Sequence, residues 1–342
     1  MEENNDCTVI TTEAADRTDA RRSFSRAGWG IFAFLAVSSA LQLLLGALSE
    51  VLGMDYAEQP WLFWVFNFLP IYAVGVPVCL LILRKAPETP CVTEKFGAGR
   101  LIVAAIICMF LMYAGNLIGM GVTAVLQWIL GITPVNAVAE LAFTEQLLPK
   151  ILVMVIIAPF FEELVFRKAL ISRLRVYGER LAVITSAVLF ALFHGNLSQM
   201  FYAFLLGLVF GYVYLRSGKL RHSLILHMFV NFMGSVLAPY MVSLVGQANL
   251  EEFSSMSAAM DPAALVELIT PGMIAFFAYI MLILALSLAG LVLFCVKVGR
   301  VRFYAAEKQL PREKLFGTVY LNVGMLLLIL GFLALVVLTF VV

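Results

Sequence analysis

Charge is scarce in this chain. Only 13% of its 342 residues are Asp, Glu, Lys or Arg, against roughly a quarter in soluble domains. Hydrophobic residues make up 62%, and the mean hydropathy is +0.98. That balance excludes an ordinary soluble globular fold. Cysteine is sparse too: Cys7, Cys79, Cys91, Cys108 and Cys295 show no C-x-x-C spacing and none falls in a predicted external loop, so neither a disulfide framework nor a cysteine metal site is expected. Histidine occurs three times. There is no internal repeat, no low-complexity tract and no prenylation box at the C-terminus. H-E-x-x-H is absent, as are G-x-G-D and a G-x-S serine paired with a suitable histidine, which argues against the usual zinc, aspartyl and serine protease geometries.

What the chain has instead is long apolar runs. Read between charged punctuation, they predict an all-α polytopic membrane bundle of about eight or nine transmembrane helices. The nine candidates lie near 28–49, 61–83, 101–130, 150–172, 181–195, 198–215, 222–245, 272–297 and 315–341. Most hold the ~20 residues that cross ~30 Å of hydrocarbon. The fifth is short, and only the turn-like "HGNLSQ" divides it from the sixth, so these two read as a helical hairpin.

With the N-terminus in the cytoplasm, the predicted inner loops hold 22 of the 23 basic residues, leaving Lys150 alone outside. Adding or deleting one span would invert every later loop, so the pattern supports an inner N-terminus and an outer C-terminus. The basic loops are therefore a topology signal facing the lipid bilayer, and no nucleic-acid partner is expected. No cleaved signal peptide is expected, because the polar stretch before the first span is too long for an n-region.

Along the chain, residues 1–27 read as a polar cytoplasmic tail, disordered apart from its basic end. A transmembrane scaffold occupies 28–149, a block of unusual residues 150–240, and an external loop with C-terminal transmembrane helices 241–342. The external stretches 131–149 and 246–271 are the longest outside, and "AVAELAFTEQLL" has a helical period that suits an interfacial position.

The block 150–240 contains all three histidines and the only two carboxylates predicted deep in a span, Glu162 and Glu163. Each would cost on the order of 2.5–3.5 kcal/mol at the bilayer centre, which makes them functional candidates. Glu163 and Arg167 stand at i and i+4 in the favourable order, and an ion pair between them accounts for Glu163. Adjacent helical residues diverge by ~100°, so Glu162 must face another neighbour. "FALFHG" supplies His194, and "HMFVN" puts His227 and Asn231 one turn apart on one face. Glu162, His194 and Asn231 all come out roughly 10–20 Å from the inner boundary at 1.5 Å per residue. Pro159 lacks an N–H and would leave the Val155 carbonyl without its usual partner, a kink tolerated beside a polar cavity.

Such a set suits hydrolysis. A carboxylate and a neutral imidazole contacting one water can take its proton, and a second histidine with an amide can donate to the oxyanion of an attacked carbonyl. The same side chains also include a ligand set, Glu162, His194 and His227, of the kind that holds a divalent metal such as zinc. The residues leave both readings open, with no cofactor firmly implied.

"EELVFR" fits E-E-x-x-x-R, "FALFH" fits F-x-x-x-H and "HMFVN" fits H-x-x-x-N, in order and each on a predicted span. Over 150–240 the chain thus resembles the CPBP family, the CAAX proteases and bacteriocin-processing enzymes also called Abi intramembrane endopeptidases. The resemblance implies a glutamic-type intramembrane endopeptidase acting on a peptide or membrane-protein substrate that arrives from the cytoplasmic side or the bilayer. By position, Glu162 would be the general base sharing a water with His194. His227 and Asn231 would hold the oxyanion, and Glu163 and Arg167 would orient the site. "GLVFGYVYLRSGKL" resembles the family's spacer, with Gly207 and Gly211 at the spacing of close helix contacts. His222 matches no motif and reads as interfacial. The compact chain with short loops points to a bacterial cell membrane, where CAAX prenyl substrates are not expected. Two other readings remain: a non-enzymatic immunity or accessory protein that keeps the fold, and a proton-coupled transporter, against which stands the lack of a second half-site. The oligomeric state is left open.

Overall fold

The computed structural model describes residues 13–14, 16–54, 58–86, 88–89, 93–132, 146–245, 270–304, 306, 308–310, 313 and 315–341. It is a bundle of helices: α1 Arg17–Val51, α2 Pro60–Leu83, α3 Ala98–Leu130, α4 over 147–174, α5 Glu179–Phe193, α6 Leu197–Ser217, α7 Leu220–Ser243, α8 Pro271–Val298 and α9 Val323–Val341. Seven of these, all but α4 and α5, are long and apolar enough to cross a membrane by length and composition alone. The chain is therefore an integral multi-pass membrane protein. The only strands among the described residues are Glu13–Ala14 and Lys308–Gln309, a two-residue parallel pair.

Three expectations shift. First, α1 starts at Arg17, well inside the stretch read as a polar tail. The Asp16 side chain accepts from the Thr18 N–H at 2.9 Å, and Ala20, Phe24 and Ala27 form a buried stripe at helical spacing, so an amphipathic turn is hidden beneath averaged polarity. Second, the helix expected over 315–341 is divided. Buried Asn322 accepts from the Met325 N–H at 3.1 Å while its amide donates to Val319 O at 2.8 Å, ending the short Leu315–Val319 helix and starting α9. Third, α4 carries wide π-type turns at Ile151–Ile157 and Leu164–Ile171, on both sides of an α-helical Ala158–Glu163. Most of the "AVAELAFTEQLL" stretch, residues 246–269 of the loop expected outside, Cys7 and Cys91 lie outside the described residues. Cys79, Cys108 and Cys295 are free thiols.

The expected hairpin of α5 and α6 is present. Gly195, at φ +69°, takes the left-handed conformation that stops α5 just past His194. Asn196 then accepts from the Gln199 N–H at 2.8 Å and begins α6.

Between helices in lipid there is little hydrophobic driving force, and small residues permit the close approach that packing requires. Gly207 and Gly211 face Ala187 and Val183 of α5, as expected from their spacing. Closer crossings occur where Gly115 and Gly119 of α3 meet the backbone of Tyr202 and Ser198, where Gly290 of α8 meets Ile106, and where Gly28 and Gly324 join α1 to α9. The apolar interior forms two clusters. One draws on α1, α2, α4, α5, α9 and part of α6, the other on α3, α7, α8 and the rest of α6.

One end of the bundle is tied by charge. Glu179 takes Arg175 at 3.2 Å, Arg216, and the backbone N–H of Tyr304 at 2.8 Å. The Arg216 guanidinium lies 4.3 Å from the Tyr304 ring centroid. Glu94 N–H donates to Arg216 O at 2.7 Å, and Arg173 pairs with Glu88 at 2.9 Å. Tyr177 donates to Asp19 at 3.1 Å; burial holds its phenol above the ordinary value, so it remains a donor. These contacts gather the basic ends of α1, α4, α5, α6 and α8 at a single face.

Candidate functional site

The two apolar clusters meet at Arg167. Its guanidinium sits 4.6 Å from the ring centroid of Phe190, in the first cluster, and 5.7 Å from that of Phe210, in the second. Arg167 and Glu163 are both 0% exposed, and their Nε and Oε1 are 3.2 Å apart. Arg167 Nη1 donates to Ser186 Oγ at 3.0 Å, and that hydroxyl donates to Phe166 O at 2.8 Å. The expected i, i+4 pair is therefore formed and fully enclosed.

Glu162 turns into a cavity of about 270 Å³, room for several waters at ~30 Å³ each. His194, His227 and Asn231 line the same cavity, so four expected residues from α4, α5 and α7 converge on one space. Glu162 keeps 14% of its side-chain surface exposed, where Glu163 keeps none.

His227 sits between the two glutamates. Its Nδ1 is 3.1 Å from Glu163 Oε1, and its Nε2 is 3.6 Å from Glu162 Oε2. A carboxylate accepts, so Nδ1–H is the donor to Glu163; 3.6 Å to Glu162 is too long for a hydrogen bond. The ring stacks on Phe210 at 5.1 Å and meets Phe190 edge-on at 5.6 Å.

His194 Nδ1 is 2.8 Å from Phe190 O. A carbonyl can only accept, so Nδ1 carries a proton, and in the neutral ring Nε2 holds the lone pair. Among the described residues no hydrogen bond or ion pair joins His194 to Glu162; they share the cavity rather than a bond. Asn231 donates from Nδ2 to Met154 O at 2.8 Å. In the π-type turn the Ala158 N–H reaches back to Val153 O, which assigns Met154 O to residue 159, a proline with no N–H. Asn231 satisfies the carbonyl so orphaned. The expectation that Val155 would lose its partner is corrected by one residue, because the wide turn shifts the register.

Among the described residues no three of His, Cys, Asp and Glu group closely enough to hold an ion, and the two ring nitrogens of His227 already face separate carboxylates. His222 packs near Phe96 at 5.7 Å and does not line the cavity.

Sequence reasoning missed the aromatic partition. Phe190 counted only as the first letter of F-x-x-x-H, yet its carbonyl fixes His194, its ring takes Arg167, and its edge separates the two histidines. It also missed Gln199, Tyr202 and Tyr72 in the cavity wall; a glutamine inside an otherwise apolar span was a readable signal.

A family model described as type II CAAX prenyl endopeptidase Rce1-like matches residues 144–233, which contain all six expected site residues. No curated protein and no solved structure matches the chain. The chain is thus a multi-pass membrane protein whose segment 144–233 is similar to the Rce1-like type II CAAX prenyl endopeptidases, a match consistent with the CPBP/CAAX protease family.

Proposed function

We propose that this chain is an intramembrane endopeptidase that cleaves a peptide bond of a membrane-associated protein or peptide. The observation that carries the reading is the convergence of Glu162, His194, His227 and Asn231 on one cavity large enough for water and a peptide group, inside a segment matched by a protease family model.

On this reading, Glu162 takes a proton from a water that also donates to His194 Nε2, and the oxygen attacks the peptide carbonyl carbon. The oxyanion that forms draws hydrogen bonds from the second N–H of the Asn231 amide and from His227, which with both nitrogens protonated donates Nδ1–H to Glu163 and Nε2–H into the cavity. The C–N bond then breaks, and the proton held by Glu162 passes to the leaving amine. Glu163 and Arg167 act through His227 and the helix, fixing their orientation. The one-sided basic loops support an inner N-terminus and an outer C-terminus.

The test is cleavage of a quenched peptide library by protein purified in detergent. Glu162→Gln and His194→Ala should each lower kcat/KM by at least ~100-fold while folding normally. Undiminished cleavage by both variants would refute the assignment, and a wild type that cuts nothing would favour the non-enzymatic reading.

A further inference from the structure

We infer that Gln199 is a substrate-positioning residue whose carboxamide binds the main chain of the peptide in the cavity; the substrate class rests on the proposed endopeptidase reaction. Gln199 lies in the first turn of α6, five residues past His194. Its backbone is fixed, because its N–H donates to Asn196 Oδ1 at 2.8 Å. The residue is only 6% exposed and lines the cavity with Glu162 and His194.

Among the described residues its side-chain amide makes no hydrogen bond. The other amides of this cavity wall behave differently: Gln42 donates to Asn67 O at 2.7 Å and Asn231 to Met154 O at 2.8 Å. Those two secure carbonyls of neighbouring helices. Gln199 secures none, and a polar side chain so enclosed takes its hydrogen bonds from water or a ligand in the cavity that it lines. A carboxamide offers one acceptor and a donor pair without charge, which complements the C=O and N–H of a peptide group. A charged ligand would call for a charged partner at this position.

The prediction separates from a structural role by sign. Gln199→Leu removes both polar atoms at nearly constant volume. Since the carboxamide is bonded to none of the described residues, the variant should keep or gain thermal stability in detergent. Its kcat/KM on a quenched peptide should nonetheless fall roughly tenfold, mostly through KM, as expected for one lost hydrogen bond. Peptides carrying an ester or N-methyl group in place of one peptide bond at a time locate the contact. The position where that change weakens wild type about tenfold should cost Gln199→Leu nothing further.

A second arm needs no chemistry. Added to Glu162→Gln protein, Gln199→Leu should raise the Kd of the same fluorescent peptides about tenfold. Peptides bound in this way but never cut by wild type would remove the endopeptidase reaction and leave this inference standing. Normal cleavage with unchanged KM in Gln199→Leu would overturn the inference and leave the reaction standing, with water as the partner of the carboxamide. Loss of thermal stability in both Gln199→Leu and Gln199→Met would make the group structural and also overturn it. A library neither cut nor bound overturns both.

Discussion

Replacing Arg167 by methionine would leave the carboxylate of Glu163 inside the bundle with only His227 Nδ1 at 3.1 Å and the neighbouring Ser223 hydroxyl as polar partners, and with no compensating charge on its own helix. Both members of the pair are 0% exposed, so neither solvent nor salt can relieve the loss. Removing one partner of an enclosed ion pair costs about 3–5 kcal/mol, because the survivor remains buried and unpaired. Methionine restores part of the packing between Phe190 and Phe210 but not the cation above their faces, a further ~0.5–2 kcal/mol. Arg167→Met should therefore be among the most damaging single changes in the chain. Glu163→Gln together with Arg167→Met removes the orphan charge and should recover at least ~2 kcal/mol of that loss, since neutral replacement of a buried pair is often well tolerated. The assay is reversible unfolding in mixed micelles, followed by tryptophan fluorescence, for wild type, both single variants and the double. Effects that add to within ~0.5 kcal/mol, or an Arg167→Met loss below ~1 kcal/mol, would refute the argument that this pair joins the two apolar clusters.

Three further predictions concern helix contacts. A Cβ on Gly115 would fall 2.5 Å from Tyr202 Cα, so Gly115→Ile should force α3 from α6 and lower stability by ~1–3 kcal/mol. Gly121→Ala, on the same helix with nothing within 4 Å of the added atom, should be neutral or better in the same thermal melt. Asn231→Ala frees Met154 O and should cost ~1–3 kcal/mol; unchanged stability would show that the proline-opened carbonyl needs no cap.

The bundle was legible because long apolar runs punctuated by basic loops leave few alternatives, and the residues that line the cavity because ionisable groups stand out against lipid-soluble sequence. What could not be read depends on contacts rather than composition. The start of α1 at Arg17 is set by an Asp16 cap and a stripe of three small or aromatic residues, which hydropathy averaging over charged neighbours erases. The break at Asn322 is a single side chain satisfying two helix ends. Phe190 and Phe210 gave no contrast in a chain with 27 phenylalanines, although they divide and stack the site. The shift from Val155 to Met154 is a change of hydrogen-bond register, which proline position alone does not determine.

Helical geometry separates Glu162 from Glu163 by about a quarter turn, and on that basis they read as independent, one paired to Arg167 and the other aimed at His194. The imidazole of His227 removes that independence. Its two ring nitrogens address the two carboxylates from opposite edges, at 3.1 and 3.6 Å, so a shift of Glu163 moves the ring that Glu162 and the cavity share. Arg167, which holds Glu163, thereby acts on the cavity without lining it. The π-type turns on either side of Ala158–Glu163 suit this arrangement. Each wide turn re-aims the helix faces that follow it, which lets neighbouring residues of one helix meet the same side chain of another.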